Sequence, residues 1–116
     1  MENALQELCA VDGVLGCLLM SEDGIAIASH FDVTRDPERV AALTSSLVAL
    51  VQRAASELGL GPFQSMMLEV EKSLLLVRQT STGLLVVMGT RRANPGLLRV
   101  EMDLAAERVE RRVRVE

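Results

Sequence analysis

Two helix starts, Asp36-Pro37 and Asn94-Pro95, bracket three largely apolar segments at Gln64–Glu71, Leu74–Gln79 and Leu84–Gly89. Asp or Asn before a helix offers a side-chain oxygen to free backbone N–H groups, and Pro at the first helical position gives up only a donor the helix does not use. Upstream, Ser21-Glu22-Asp23-Gly24 marks a hairpin turn between Val14–Met20 and Ile25–Ala28, with Gly24 free to take a positive φ. A short helix over residues 2–10 completes the order: helix, two strands, a long helix, three strands, helix. The links Glu71-Lys72-Ser73 and Thr80-Ser81-Thr82-Gly83 are too short for anything but antiparallel neighbours.

Leu74–Val77 and Leu84–Met88 show no polar alternation, so these strands belong in a sheet covered on both faces. The fold expected is an α/β (α+β) domain spanning residues 1–116. In it a five-stranded antiparallel sheet lies between one long central helix and two terminal helices. The third strand differs, because Ser65, Met67, Glu69 and Glu71 alternate with Met66, Leu68 and Val70. Half polar and next to the long helix, it is placed at a sheet edge, where unpaired backbone groups invite a second chain.

The long helix is expected from Pro37 to Leu58, stopped by Gly59 and Gly61-Pro62. Helical spacing puts Val40, Leu43, Leu47, Leu50, Val51, Ala54 and Leu58 on one stripe, read as the face that covers the sheet. Ala41, Val48 and Ala55 form an apolar flank. The far face carries Ala42, Ser45, Ser46, Ala49, Gln52, Arg53 and Ser56, small and nearly uncharged. Such a face either admits a close-packing partner or is a generic surface of good helix formers, and the residues alone leave both open.

No catalytic pattern stands out. His30 is the single histidine and reads as a solvated residue in the link that follows the second strand. Cys9 and Cys17 have no CxxC spacing and read as two reduced core thiols. The glycines do not precede a helix in a phosphate-cradling order. With only Phe31 and Phe63 as aromatics and a net charge of −4, neither base stacking nor a phosphate backbone suits the chain. Residues 91–116 run the other way, with seven arginines against five acids, and the alternating segment Glu107–Arg114 reads as a solvated helix end. No signal-peptide pattern or membrane-spanning run is seen, so no membrane insertion and a cytoplasmic setting are expected.

Taken together, Val11-Asp12-Gly13-Val14, Asp23-Gly24-Ile25-Ala26-Ile27-Ala28, Val40-Ala41-Ala42-Leu43, Glu57-Leu58-Gly59 and Asn94-Pro95-Gly96-Leu97-Leu98-Arg99 resemble the roadblock family of dynein-associated light chains. The likeness is nearest to its bacterial, MglB-like branch. The resemblance implies a longin- or profilin-like sheet that dimerises by pairing strand three with its symmetry mate, the two long helices side by side. It assigns Ala41, Val48, Ala55, Ser65, Met66, Met67, Leu68 and Glu69 to the dimer interface. It further implies a non-enzymatic homodimer that takes no cofactor or metal. Across Ala42, Ser45, Ser46, Ala49, Gln52, Arg53 and Ser56 that dimer binds a small Ras-like GTPase, in some members raising its GTP hydrolysis. Arg39 and Arg53 read as rim charges that steer a partner rather than as fingers reaching its nucleotide. The other reading is an assembly subunit that joins another light chain or a sensor kinase without acting on a GTPase.

Overall fold

The computed structural model describes the backbone of residues 2–32 and 34–115 and the side chains of residues 3–32 and 34–110. In chain order the elements are α1 (Glu2–Cys9), β1 (Val14–Met20), β2 (Ala26–Phe31), α2 (Pro37–Glu57), β3 (Ser65–Glu69), β4 (Ser73–Thr80), β5 (Gly83–Thr90) and α3 (Pro95–Val115). The five strands form one antiparallel sheet in the order β2-β1-β5-β4-β3. The three late strands make the expected meander, and β5 joins it to the early hairpin.

Register sorts the apolar residues into two faces. Cys17 pairs with Val87, Val87 with Leu76, and Leu76 with Met67. Leu5 and Leu8 of α1, with Leu98, Met102, Ala105 and Ala106 of α3, close over that row. One position along, Leu18, Val86, Val77 and Met66 line up on the opposite face, which α2 covers. Strands buried on both sides need no polar alternation, which is why β4 and β5 read as continuous apolar runs.

β2 is longer than expected and takes in His30 and Phe31. Phe31 pairs with Gly16 and packs into the α2-side core. A Cβ at Gly16 would run into the Phe31 ring, so glycine there makes room for the aromatic side chain that extends the strand. The β1–β2 pairing is irregular between Leu19 and Met20, where a bulge shifts the register.

α2 begins as its sequence dictates. Asp36 accepts a hydrogen bond from the Glu38 N–H at 3.0 Å, and Pro37 opens the first turn. It ends at Glu57 with Leu58 as its cap, and Gly59 beyond takes φ +68° while the Leu60 N–H returns to the Ala55 carbonyl at 2.9 Å. At the far end of α3, Glu107 and Arg108 are exposed, in line with the solvated reading, but the two residues that follow are not free in solvent. Val109 is buried with Ala4 and Leu19, and the Glu110 carboxylate accepts a hydrogen bond from the Ser81 N–H. The Arg111–Arg114 side chains, the remainder of that reading, lie outside the described residues. Among the described residues no helix is long and apolar enough to cross a membrane.

Candidate protein-binding surface

α2 meets the sheet through small residues. Ala41, Thr44 and Val48 are its buried positions, and small side chains let the helix axis come close to β1 and β2. This corrects the helical-wheel reading. The stripe through Leu43, Leu47 and Leu50 is the more hydrophobic one, yet Leu43 is 61% and Leu50 65% exposed. It also corrects two proposed interface residues. Ala41 and Val48, at 0% and 3% exposure, are spent on the core of their own chain and cannot touch a second one. Ala55, on the same flank, is half-buried.

The remaining α2 residues divide between two flanks. Ala42, Ser46, Ala49, Gln52, Arg53 and Ser56 are exposed. Ser45 is half-buried, because its hydroxyl donates to the Glu22 carbonyl in the β1–β2 turn at 2.6 Å. Ser46 donates to the Ala42 carbonyl within the helix at 3.3 Å, and Arg53 pairs with Glu57 one turn on at 3.3 Å. Gln52 and Ser56 border a shallow depression with Glu22, Gly61, Phe63 and Gln79. The small flank therefore leans toward the hairpin turn, and the leucine flank lies on the other side of the helix.

β3 forms the sheet edge foreseen for it, paired with β4 alone. Met66 and Leu68 point to the α2 side, Met66 half-buried in the core and Leu68 exposed. Ser65, Met67 and Glu69 point to the α3 side. There Arg99 reaches the Ser65 hydroxyl, and Arg91 pairs with Glu69 at 3.3 Å. Ser65 and Glu69 thus make contacts inside their own chain, and Met66, Met67 and Leu68 are the apolar residues the edge offers. Val70, just beyond the strand, is also exposed. Sequence reading missed Leu43 and Leu50 as surface residues. Their signal was present, since α2 carries two apolar stripes and only one can face the sheet.

The Roadblock/LC7 domain profile matches residues 1–89. This chain belongs to the roadblock family. It is 33% identical over 109 residues to the uncharacterized protein MJ1340 of Methanocaldococcus jannaschii, an alignment covering 94% of this chain and 96% of the relative. Its fold superposes on the Roadblock/LC7 domain from Streptomyces avermitilis with a TM-score of 0.88 at 26% identity, covering 97% of each chain. It superposes on Myxococcus xanthus MglB with a TM-score of 0.90 at 21% identity, covering 99% of this chain and 95% of MglB. In this chain the roadblock scaffold carries an open β3 edge and a partly uncovered α2.

Proposed function

We propose that this roadblock domain pairs with a second copy along β3 and presents two α2 helices side by side to a small Ras-like GTPase, as a non-enzymatic regulator or scaffold. The observation that carries the reading is the exposure of Leu43 and Leu50 on α2 together with Met67, Leu68 and Val70 at the unpaired β3 edge. Burying a leucine side chain fully is worth about 1.5–3 kcal/mol, so covering the apolar helix flank and the open edge in one contact gains more than covering either alone. A two-fold axis at the β3 edge, perpendicular to the sheet, does this with one self-complementary contact. Membership of the roadblock family and the fold likeness to MglB support a regulatory role.

In this arrangement the exposed small residues Ala42, Ser46 and Ala49 are left facing outward, where another backbone can approach closely. Arg53, held by Glu57, sits at the rim of that face and steers an incoming partner rather than reaching into its nucleotide site. Size exclusion with light scattering tests the reading, on the protein alone and mixed with a purified Ras-like GTPase loaded with GDP or a GTP analogue. A dimer that enlarges only with the GTP form supports it, and a hydrolysis assay then separates activation from tethering. A dimer that ignores both forms moves the reading to an assembly subunit. A monomer overturns the interface as well.

A further inference from the structure

The two cysteines, eight positions apart in sequence, meet in the fold. Cys9 closes α1, Cys17 lies in the middle of β1, and their sulfurs are 2.7 Å apart. Cys17 is completely buried beneath α1, with its sulfur 3.2 Å from the Leu5 carbonyl. Cys9 is half-buried, with its sulfur 3.4 Å from the His30 carbonyl of β2. Both backbones are held in place, α1 by the buried Leu5 and Leu8 and β1 by its pairing with β2 and β5. Joining the sulfurs at the ~2.0 Å of a disulfide therefore needs well under an ångström of movement.

We propose that Cys9 and Cys17 form a reversible dithiol–disulfide pair that fastens α1 to the sheet, oxidised by a low-molecular-weight disulfide such as glutathione disulfide. Cys9 is the attacking thiol, since it reaches the surface, and Cys17 is the resolving thiol, since only Cys9 can reach it. The Cys9 thiolate attacks one sulfur of glutathione disulfide, forming a mixed disulfide and releasing one glutathione thiolate. Cys17 then loses its proton and attacks the Cys9 sulfur, expelling the second glutathione. The protein dithiol gives up two electrons and two protons, and glutathione disulfide becomes two glutathione thiols.

The electrostatics of the contact suit these roles. The Cys17 S–H hydrogen bond holds the Cys9 thiol below its ordinary range, against the opposing effect of burial. The same contact, with burial, pushes Cys17 well up. Once Cys9 is capped as a mixed disulfide its negative charge is gone, and part of what holds the proton on Cys17 goes with it. The ring closed by residues 9–17 is short, so closing it takes less entropy from the unfolded chain than a long-loop disulfide would.

The test equilibrates the native protein in glutathione buffers of graded ratio, quenches with acid, alkylates with N-ethylmaleimide and reads intact mass. The expected product is a monomeric chain lighter by two hydrogens that takes no alkylating agent, with a non-reduced digest joining the Cys9 and Cys17 peptides. Dithiothreitol should restore two alkylated thiols. Cys17→Ser should stop at a single glutathione adduct on Cys9, and Cys9→Ser should yield neither product. Cys9 is partly exposed, so the Cys9→Ser variant keeps the core intact and the wild-type measurement needs no variant at all. Two alkylated thiols per chain in excess glutathione disulfide would overturn the proposal, as would a Cys9 adduct that persists in the wild type or a Cys9-to-Cys9 link between chains.

Discussion

The Ser45 hydroxyl donates a 2.6 Å hydrogen bond to the Glu22 carbonyl, tying the middle of α2 to the turn between β1 and β2. Gly24 in the same turn sits beneath Ala42 and Ser45, at φ +96°. The rotation of α2 about its own axis, and so which residues it shows to solvent, is fixed at this point as well as by its core contacts. Ser45→Ala should lower stability by about 1 kcal/mol, the net value of a typical intramolecular hydrogen bond. The shift should appear in the urea midpoint without a change in slope. An unchanged midpoint would mean that the contact contributes nothing and that the core alone orients the helix.

Neighbouring residues on α2 should respond in opposite ways to the same change. Leu50→Glu places a good helix former on an exposed flank, so the chain should stay folded but lose the dimer in light scattering. Val48→Glu places an unpaired charge in the core and should cost about 3–5 kcal/mol, seen as loss of the cooperative unfolding transition. A Leu50→Glu protein that still dimerises would remove the leucine flank from the interface.

Ala49 is exposed on the small flank of α2. Ala49→Glu should therefore keep the size and the melting temperature of the wild type and weaken GTPase binding tenfold or more, about 1.4 kcal/mol, in a titration. Wild-type affinity in this variant would place the GTPase elsewhere on the molecule.

The contact with Cys17 lowers the Cys9 thiol, so Cys9 carries thiolate charge at a lower pH than an ordinary cysteine. Its iodoacetamide rate, followed against pH, should reach half its plateau below the usual thiol value. Since the lowering comes first from the Cys17 S–H, Cys17→Ala should move that midpoint upward. A midpoint that does not move would assign the shift to another neighbour.

Much of this architecture can be read from the chain. The Asp36-Pro37 start, the alternation-free strands and the half-polar β3 led to the element order, the two covered faces and the open edge. The orientation of α2 was not legible, because a helical wheel favours the most hydrophobic stripe. The sheet selects for size instead, taking Ala41, Thr44 and Val48 and leaving the larger leucines outside. The extent of β2 was missed for a related reason, since the room for Phe31 is made by Gly16 on another strand. The Cys9–Cys17 contact spans a helix, a turn and a strand, so no local periodicity announces it.

The bulge between Leu19 and Met20 lies in the pairing of β2, the strand at the end of the sheet away from β3. A sheet that joins copies through one edge alone closes after two, whereas one that can also add at its opposite edge grows without limit. Bulges increase local twist and spoil a strand as a template for further pairing. In the pairing proposed along β3, an irregular β2 disfavours further addition at the opposite edge and so favours a closed pair over an open-ended one.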